Sequence, residues 1–365
     1  MQIREITIGE LNHFATSELW QQLEPKPITV LRAVSQSKNP RAKADDVALI
    51  IAYEGKNLAG LAGILPDAVN GISEQRASSN TCWWVNGDMG RRLALPLFMK
   101  AFAQCGQRMF LTDMTPHTLS ILQKTNWFEF PALAPGMRGF LKFNLNEVLP
   151  ARMPSFQKIK PLLTFSDKTL NVLFSPLRRV NQIRFKDQNI KVEKRKELNE
   201  PLYSYIEQHS QNEFIGRSGK ELEWIVRYPW VTAQANDASK AAFDYPFSHI
   251  VKSFEQYFLH LSKSGNTIGL LLISLRDGHM KVPYAYFDEK NAPLILKEIY
   301  RQAVLNDAVT LTLFRAGLVN AMHSAPHPFI FRKPIRRLAA ISTRLEGLFR
   351  KHPHFQDGDG DVVFT

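Results

Sequence analysis

The chain has 365 residues and a formal net charge of +12 at pH 7, with 44% hydrophobic and 22% charged residues. This length is too great for one ordinary hydrophobic core and suits two globular domains. The longest apolar runs, such as residues 268–273, are far shorter than the ~20 residues of a membrane span, which excludes a membrane-spanning helix.

Two features of the sequence predict a cytoplasmic protein. Arg4, Glu5 and Glu10 lie where a signal peptide would place its apolar region, so we expect no export. Cys82 and Cys105 are the only cysteines. Two cysteines form no disulfide framework, which is typical of a protein in a reducing compartment.

The positive charge is concentrated in the middle of the chain. Residues 151–200 carry twelve Lys or Arg against five Asp or Glu, a net charge of +7, whereas residues 1–150 carry +2 and residues 201–365 carry +3. Such a basic stretch suits nucleic acid, an anionic membrane surface or a phosphorylated substrate. The alternative is a solvated face of linker helices.

The first half of the chain begins with predicted helices and continues with strands. Residues 8–23 and 30–35 have helical spacing of apolar residues. The apolar runs 47–53 and 58–65 are split by a polar turn that contains glycine, which predicts a β-hairpin. Residues 66–79 are polar and predict a loop.

The stretch from Asn80 to Met114 predicts a strand, a loop, a helix and a second strand. Residues 81–86 are bulky and favour a strand. Residues 93–105 carry apolar side chains at helical spacing, as in a helix that packs on a sheet. The remaining predictions for this half are a strand at 109–112, a short helix at 116–124 with proline near its start, and strands at 127–130 and 138–145.

The middle of the chain predicts a connector between two domains. Residues 151–187 contain Pro154, Pro161 and Pro176, which predicts helices broken by prolines. The expected domains are therefore 1–150 and 188–365, with a basic helical connector at 151–187. In the second domain the predicted helices are 198–208, 221–226 and 292–305, and the predicted strands are 253–261, 267–275, 279–287 and 309–314.

The two halves share one order of elements. Each predicts helices, a strand, a tight turn, two further strands, a helix, a strand, a short helix and a strand. We interpret this order as two tandem copies of one α/β fold with a mixed sheet.

This layout resembles the GNAT acyltransferase superfamily. In that family three antiparallel strands are followed by a loop, a helix and a strand parallel to the third. The motif after the third strand is Arg or Gln, two residues, Gly, one residue, and Gly or Ala. Residues 91–96, Arg-Arg-Leu-Ala-Leu-Pro, correspond to it here. The whole chain thus resembles a tandem of two GNAT-like domains.

The resemblance implies an acyl-CoA site in the first half. In the family, backbone N–H groups of this motif face the pyrophosphate of coenzyme A, and glycines allow close approach. The residues implied here are Val85, Asn86, Arg91, Arg92, Leu93, Ala94 and Leu95. The chain departs from the motif at Ala94 and at Pro96, which supplies no N–H. The alternative is a degenerate domain kept for structure.

The corresponding loop of the second half is different. Residues 287–293 contain no glycine, and Asp288 and Glu289 stand where phosphates would lie. Because negative charge at a helix start disfavours an anion, this half is expected to shape an acceptor pocket.

Acyl transfer of this type needs a base, a donor to the oxyanion and a proton source. The resemblance implies a backbone N–H near Val85 or Asn86 as the oxyanion donor. Many family members use a tyrosine on the helix after the next strand, but residues 115–124 contain none. His117 and Asp113 are the catalytic candidates that remain. The alternatives are a surface histidine at a helix start and a capping carboxylate.

Several aromatic residues and one cysteine are further candidates for a site. Trp84, Trp224, Tyr228 and Trp230 are candidates for a sugar or peptide groove, and packing is the alternative. Cys82 lies in an apolar strand, where an inert thiol is usual.

No metal site is expected. His323 and His327 are four residues apart, but prolines interrupt the helix that would align them. The Asp-Gly-Asp-Gly-Asp run at 357–361 resembles the start of a calcium loop but lacks its glutamate. An acidic turn is the ordinary interpretation of that run, and a segment folding back toward an active site is the alternative.

The sequence therefore predicts an N-acyltransferase that uses acetyl-CoA or another acyl-CoA and acylates an amine of a small molecule, sugar or peptide. A second hypothesis is an aminoacyl-tRNA-dependent transferase of related tandem fold, with tRNA on the basic stretch. A third is a non-catalytic binding protein with a degenerate fold. General nucleic-acid binding would depend on Arg178, Arg179, Lys194, Arg195 and Lys196.

Overall fold

The computed structural model describes residues 1–176, 180, 184–233 and 244–364, with the backbone alone at 88 and 89. Its strands are β1 Gln2–Thr7, β2 Val47–Glu54, β3 Asn57–Ala68, β4 Arg76–Val85, β5 Met109–Thr112, β6 Phe128–Glu129, β7 Gly136–Phe140, β8 Ile190–Arg195, β9 Thr232–Ala233, β10 Ile250–Val251, β11 Phe254–Lys263, β12 Asn266–Arg276, β13 His279–Tyr286, β14 Thr310–Leu313, β15 Phe331–Ile335 and β16 Ala339–Ser342. Its helices are α1 Leu11–Phe14, α2 Glu18–Gln22, α3 Val30–Ser37, α4 Gly87–Arg91, α5 Ala94–Gln104, α6 Pro116–Leu122, α7 Leu145–Arg152, α8 Lys160–Leu173, α9 Glu200–His209, α10 Gly219–Arg227, α11 Ala292–Leu305, α12 Ala316–Ser324 and α13 Glu346–Lys351. A 3-10 turn at Pro154–Ile159 lies between α7 and α8.

Two seven-stranded sheets have the same arrangement. The first has the order β1-β2-β3-β4-β5-β16-β6, and the second has the order β8-β11-β12-β13-β14-β7-β15. Within each sheet the fourth and fifth strands are parallel, and the sixth is antiparallel to both of its neighbours. The predicted mixed α/β fold in two copies is confirmed.

The sixth strand of each sheet comes from the other half of the sequence. Strand β7 joins the second sheet, and β16 joins the first. The compact units are accordingly residues 1–133, 195–258 and 337–365 for the first unit, and 134–194 and 259–336 for the second. These units differ from the continuous ranges 1–150 and 188–365. The division into those ranges with a connector stays a prediction. In the part of the chain described here, no helix is long and apolar enough to cross a membrane.

Most predicted elements of the first half are present, with two corrections. The strand predicted at 138–145 is too long, because β7 ends at Phe140 and α7 starts at Leu145. The hairpin is formed by β2 and β3, and α5 packs on the sheet through Leu97, Phe98 and Ala101. The predicted loop at 66–79 is wrong, because β3 extends to Ala68 and β4 starts at Arg76. The residues at the start of β4 are small or polar, yet the sheet buries them, so their local composition gave no strand signal.

The sheet of the first unit has two chemically distinct faces. Successive side chains of a strand point to opposite faces. Trp83 and Val85 pack with α5 on one face, whereas Cys82 and Trp84 pack with Leu11 of α1 on the other. We name these the α5 face and the α1 face.

In the second unit the loop that corresponds to the one after β4 carries an acidic side chain that contacts helix α12. Glu289 precedes α11, and its carboxylate contacts Gly317 of α12 so closely that a Cβ at position 317 would overlap it. Arg315 lies 3.5 Å from the same carboxylate. The expectation that this half shapes an acceptor pocket stays a prediction.

Candidate functional site

The first unit contains a gap between two parallel strands. Strands β4 and β5 are paired only at Ser78 with Met109 and at Ser79 with Phe110. Beyond that point β4 continues beside β3 to Val85, while β5 pairs with β16. We call the opening beyond Ser79 and Phe110 the fork. Its backbone edges are free of strand pairing, so a ligand or another segment of the chain can lie there.

A β-bulge marks the mouth of the fork. Opposite β4, Gly63 pairs with Cys82 and Ile64 pairs with Asn80, so Thr81 is the extra residue. A bulge bends the strand and redirects its side chains. The hydroxyl of Ser79 is fully buried and has no hydrogen-bond partner among the described residues.

A cluster around Arg32 lies on the α1 face at the bulge. The Arg32 guanidinium donates to the Thr81 hydroxyl, to Cys82 Sγ at 3.5 Å and to the Tyr245 hydroxyl at 3.2 Å. It also lies over the Trp230 ring, 4.1 Å from the ring centre. Burial raises the pKa of Cys82 and of Tyr245, so both stay protonated at neutral pH. The buried, protonated thiol agrees with the expectation of an inert Cys82.

Residues 356–364, which we call the tail, fold back into the fork. The Thr112 hydroxyl of β5 donates to the Asp359 carbonyl at 3.0 Å. Gly360 lies between the two strands: a Cβ there would be 2.5 Å from Thr112 Oγ1 and 3.1 Å from Ser79 Oγ. Its φ of +85° also favours glycine. The acidic glycine run is therefore a buried segment that reaches the site.

Aromatic packing fixes the end of the tail. Phe364 stacks on Trp230 with ring centres 4.6 Å apart, and it packs edge-on against Trp224 at 4.9 Å. The Trp230 N–H donates to the Phe364 carbonyl at 3.0 Å. Both indole N–H groups donate to Ser35 of α3. The candidates Trp224 and Trp230 are thus buried supports of the tail in this structure.

The tail brings a carboxylate to the Arg32 cluster. Asp361 keeps some exposed surface, but the surrounding protein desolvates its carboxylate. Burial raises the pKa of Asp361 to about 6, although Arg32 acts to lower it. Asp113 lies near enough to raise it further. A carboxylate with a pKa near the working pH is suited to accept a proton.

An ion network supports the region next to the tail. Asp67 is fully buried and lies 2.5 Å from Arg41 Nη1 and 2.8 Å from Arg217 Nη2. Arg41 also binds both carboxylate oxygens of Glu221, at 2.5 and 2.7 Å. Burial raises the pKa of Asp359 in the tail to about 6, and the positive charge of Arg217 acts to lower it.

The predicted cofactor loop forms a helical turn. Helix α4 follows β4, and the Gly90 N–H donates to the Asn86 carbonyl at 2.7 Å. Gly90 packs so tightly that a Cβ would be 2.5 Å from Val85 Cβ. Tight packing against Val85 therefore explains why a glycine occupies position 90. The other predicted residues of this loop are exposed at Arg91, Arg92 and Leu95 and half-buried at Leu93 and Ala94.

The predicted oxyanion donors are distinguished by sheet pairing. The Asn86 N–H donates to the Ala59 carbonyl at 2.9 Å, so it is already used. Residues of an antiparallel ladder alternate in the direction of their N–H groups. The Val85 N–H therefore points to the side from which β5 has separated, which leaves Val85 as the candidate donor.

The two predicted catalytic side chains are both exposed. Asp113 directly follows β5 with a φ of +56°, and its N–H donates to the Leu338 carbonyl. The helix after it is capped by Thr115, so Asp113 is not a capping residue. His117 is exposed on α6. Of the two, Asp113 is the one that acts electrostatically on Asp361.

The remaining predicted residues are dispersed. Trp84 packs on the α1 face, and Tyr228 is half-buried after α10. His323 is exposed and His327 is half-buried, and no group of three metal-ligating side chains occurs among the described residues. Lys194 lies 3.4 Å from Asn306, and Lys196 donates to the Gln256 carbonyl. Arg178 and Arg179 lie outside the described residues.

Sequence reasoning missed Arg32 and Tyr245 and left Asp361 as an alternative. Arg32 and Tyr245 are 213 residues apart and meet only in the fold. A signal was available for the tail, since Asp-Gly-Asp-Gly-Asp and its following apolar residues form an unusual pattern.

Gly360→Ala is expected to lower the free energy of unfolding by about 1–3 kcal/mol, because it introduces both an overlap and an unfavourable φ. Chemical denaturation measures this change, and limited proteolysis measures exposure of the tail. Gly347→Ala is the control, since a Cβ there meets nothing within 4 Å. Equal stability of the two variants would contradict the position of Gly360 in the fork.

Comparisons with known proteins concern the fold alone. Neither a protein-family model nor a curated protein matches the chain. N-myristoyltransferase of Saccharomyces cerevisiae, solved with bound myristoyl-CoA, has a TM-score of 0.50 at 10% identity over 93% of this chain and 78% of that chain. A conserved protein of Enterococcus faecalis V583, described as a probable N-acyltransferase, has a TM-score of 0.49 at 10% identity over 96% and 74%. A tandem GNAT protein from the clavulanic acid biosynthesis pathway has a TM-score of 0.44 at 9% identity over 93% and 98%.

The chain has the GNAT fold in two tandem copies. Both sheets have the predicted meander, the helix and the parallel fifth strand. The resemblance inferred from the sequence is therefore confirmed at the level of the fold.

Proposed function

We propose that the protein transfers an acyl group from coenzyme A to an amine and that the reaction takes place at the fork of the first unit. The observation that carries this proposal is the separation of β4 from β5 beyond Ser79 and Phe110, with α5 following β4. A thioester is a flat, extended group, and it would lie at the Val85 end of the fork, beyond Gly360 of the tail, where the backbone of β4 has no strand partner on the β5 side. The yeast transferase of similar fold binds myristoyl-CoA, which supports an acyl-CoA as the donor.

The two faces of the sheet suggest separate paths for the two substrates. Arg91, Arg92 and the start of α5 lie after β4, where the donor's phosphates would bind, with Leu93, Ala94 and Leu95 at the turn. The Arg32 cluster and Asp361 lie on the α1 face. The donor would thus enter from the α5 side and the amine from the α1 side. The thioester carbon would be held between them.

Asp361 and the Val85 N–H each have a defined role in the proposed reaction. Asp361 takes a proton from the attacking amine as the C–N bond forms. The Val85 N–H donates to the carbonyl oxygen as negative charge develops on it. The C–S bond then breaks, and the thiolate receives the proton that Asp361 has accepted. No metal is required by this scheme.

A second candidate is a non-catalytic binding protein of the same fold. The observation that favours it is the α4 turn, in which the N–H groups of Gly90 and Leu93 are used within the turn. This turn leaves fewer backbone donors for a pyrophosphate than an open glycine loop would.

Calorimetry with acetyl-CoA, myristoyl-CoA and free coenzyme A distinguishes these candidates. We expect binding, and we expect Arg91→Glu/Arg92→Glu to weaken it roughly tenfold or more, because charge-assisted contacts to phosphate are lost. Lys56→Glu/Lys124→Glu changes two exposed lysines by the same charge and is the matched control. Absence of binding to all three ligands would exclude the proposed donor and favour the non-catalytic candidate.

A further inference from the structure

Helix α8 of the second unit has one packed face and, opposite it, an uncovered apolar face. Leu163 lies on the packed face and is buried. On the opposite face Leu162, Phe165, Val172 and Leu173 are exposed to 61%, 68%, 71% and 67%. Their spacing of three, seven and one residues places them on one side of a helix. We call these four residues the apolar face of α8.

The orientation of this helix is fixed by polar contacts on its packed side. The Asp167 carboxylate accepts from the N–H groups of Leu145 and Asn146 at the start of α7, at 2.8 and 2.9 Å. Asn171 accepts from the Phe143 N–H and donates to the Phe143 carbonyl. Rotation of α8 to hide its apolar face would expose Leu163 and break these bonds. The exposed residues are thus held outward by the fold.

The exposed apolar residues are concentrated in this region. Of the eighteen large hydrophobic residues exposed in the described part of the chain, eight lie between positions 153 and 180. They are the four of the apolar face together with Met153, Ile159, Phe174 and Val180. Scattered apolar residues are ordinary on protein surfaces, but a contiguous group of this kind indicates an interaction surface.

The positive charge around the apolar face of α8 indicates an anionic partner. Residues 151–186 carry eight Lys or Arg and one acid, Asp167. The Asp167 carboxylate already accepts a hydrogen bond from the Leu145 N–H at the start of α7. Lys158, Lys160 and Lys168 are exposed on or next to α8. A helix with bulky apolar residues, one lysine beside them and two more lysines at its N-terminal end fits the interface of an anionic bilayer, where acyl chains meet negative headgroups. RNA would use the lysines but would leave Phe165 and Leu173 in water.

We propose that the α7–α8 hairpin docks the protein on the surface of an anionic membrane, with the apolar face of α8 inserted at the headgroup boundary. The inference does not depend on acyl transfer, since it concerns a surface of the second unit. It requires no membrane-spanning segment. Exposed lysines give the attraction to negative lipid, and the apolar face gives the insertion.

The test is flotation of the full chain with vesicles of phosphatidylcholine alone and of phosphatidylcholine mixed with phosphatidylglycerol. We expect binding to the mixed vesicles that salt weakens, and little binding to the neutral ones. Phe165→Ser/Leu173→Ser is expected to reduce binding by about tenfold or more. Leu305→Ser, which removes another exposed leucine at the end of α11, is the control and is expected to bind as the unchanged protein does.

A second variant distinguishes electrostatic attraction by the lysines from insertion of the apolar face of α8. Lys158→Gln/Lys160→Gln/Lys168→Gln is expected to remove the preference for phosphatidylglycerol without lowering the melting temperature, since these side chains are exposed. Three outcomes would overturn the proposal. One is equal binding by the serine variant, one is a dimer in solution that this variant dissociates, and one is tRNA binding that the same variant abolishes.

Discussion

Asp361→Asn is expected to lower kcat/KM for acyl transfer by roughly 10²–10⁴-fold, the range for loss of a general base. Asparagine has nearly the same shape but cannot accept the proton of the amine. The position of Asp361 beside Arg32, at the end of the tail, is the structural reason for the expectation. The measurement is steady-state release of free thiol from the acyl-CoA that calorimetry identifies as a ligand.

The pH dependence of the same reaction gives a second readout. Burial raises the pKa of Asp361 from its usual range to about 6, so the carboxyl is protonated below that pH and cannot act as a base. The rate should therefore rise with pH through about 6, and Asp361→Asn should remove this rise.

Asp359→Asn separates the chemistry of Asp361 from the placement of the tail. Burial also raises the pKa of Asp359 to about 6, but its carboxylate accepts from the Gln356 N–H at 2.9 Å within the tail. The rate of acyl transfer by Asp359→Asn should still rise with pH through about 6, whether or not its maximal rate changes. If Asp361→Asn retained both the rate and the rise, Asp361 would not be the base, and Asp113 would be tested next.

Asp67→Ala is expected to lower the free energy of unfolding by about 3–5 kcal/mol, the range for removing one partner of a buried ion pair. The Asp67 carboxylate is fully buried and is shared by Arg41 and Arg217. Without it, two buried guanidinium groups lose their common counter-charge, although Arg41 keeps Glu221. Urea denaturation followed by tryptophan fluorescence measures the change.

Glu346→Ala is the matched control for this prediction. Glu346 pairs with Arg350 one turn away on α13, and the Arg350 side chain is 77% exposed. Exposed pairs contribute little because water and salt screen them, so we expect a change below about 1 kcal/mol. A comparable loss in the two variants would show that the Asp67 network contributes no more than an ordinary surface pair.

Part of the candidate site could be predicted from the sequence, and part could not. Asp113 was found because it follows a predicted strand, which is a local property of the chain, whereas Val85 and Arg91 were implied by the resemblance to the GNAT motif. Arg32 was missed because it lies in a short helix whose pattern shows only that one side is buried. Tyr245 was missed because its partner is 213 residues away, and no local pattern identifies such a contact.

The sequence by itself determined the order of the elements and the faces they bury. The β2–β3 hairpin, α5, β5 and the repeated order in the second half follow from apolar spacing and turn residues, which act over a few positions. Only the tertiary structure decided which strands become neighbours. Strand β7 joins the second sheet and β16 joins the first. The tail enters the fork between β4 and β5. Periodicity fixes the side of a strand that is buried, whereas its partner depends on contacts across the whole chain.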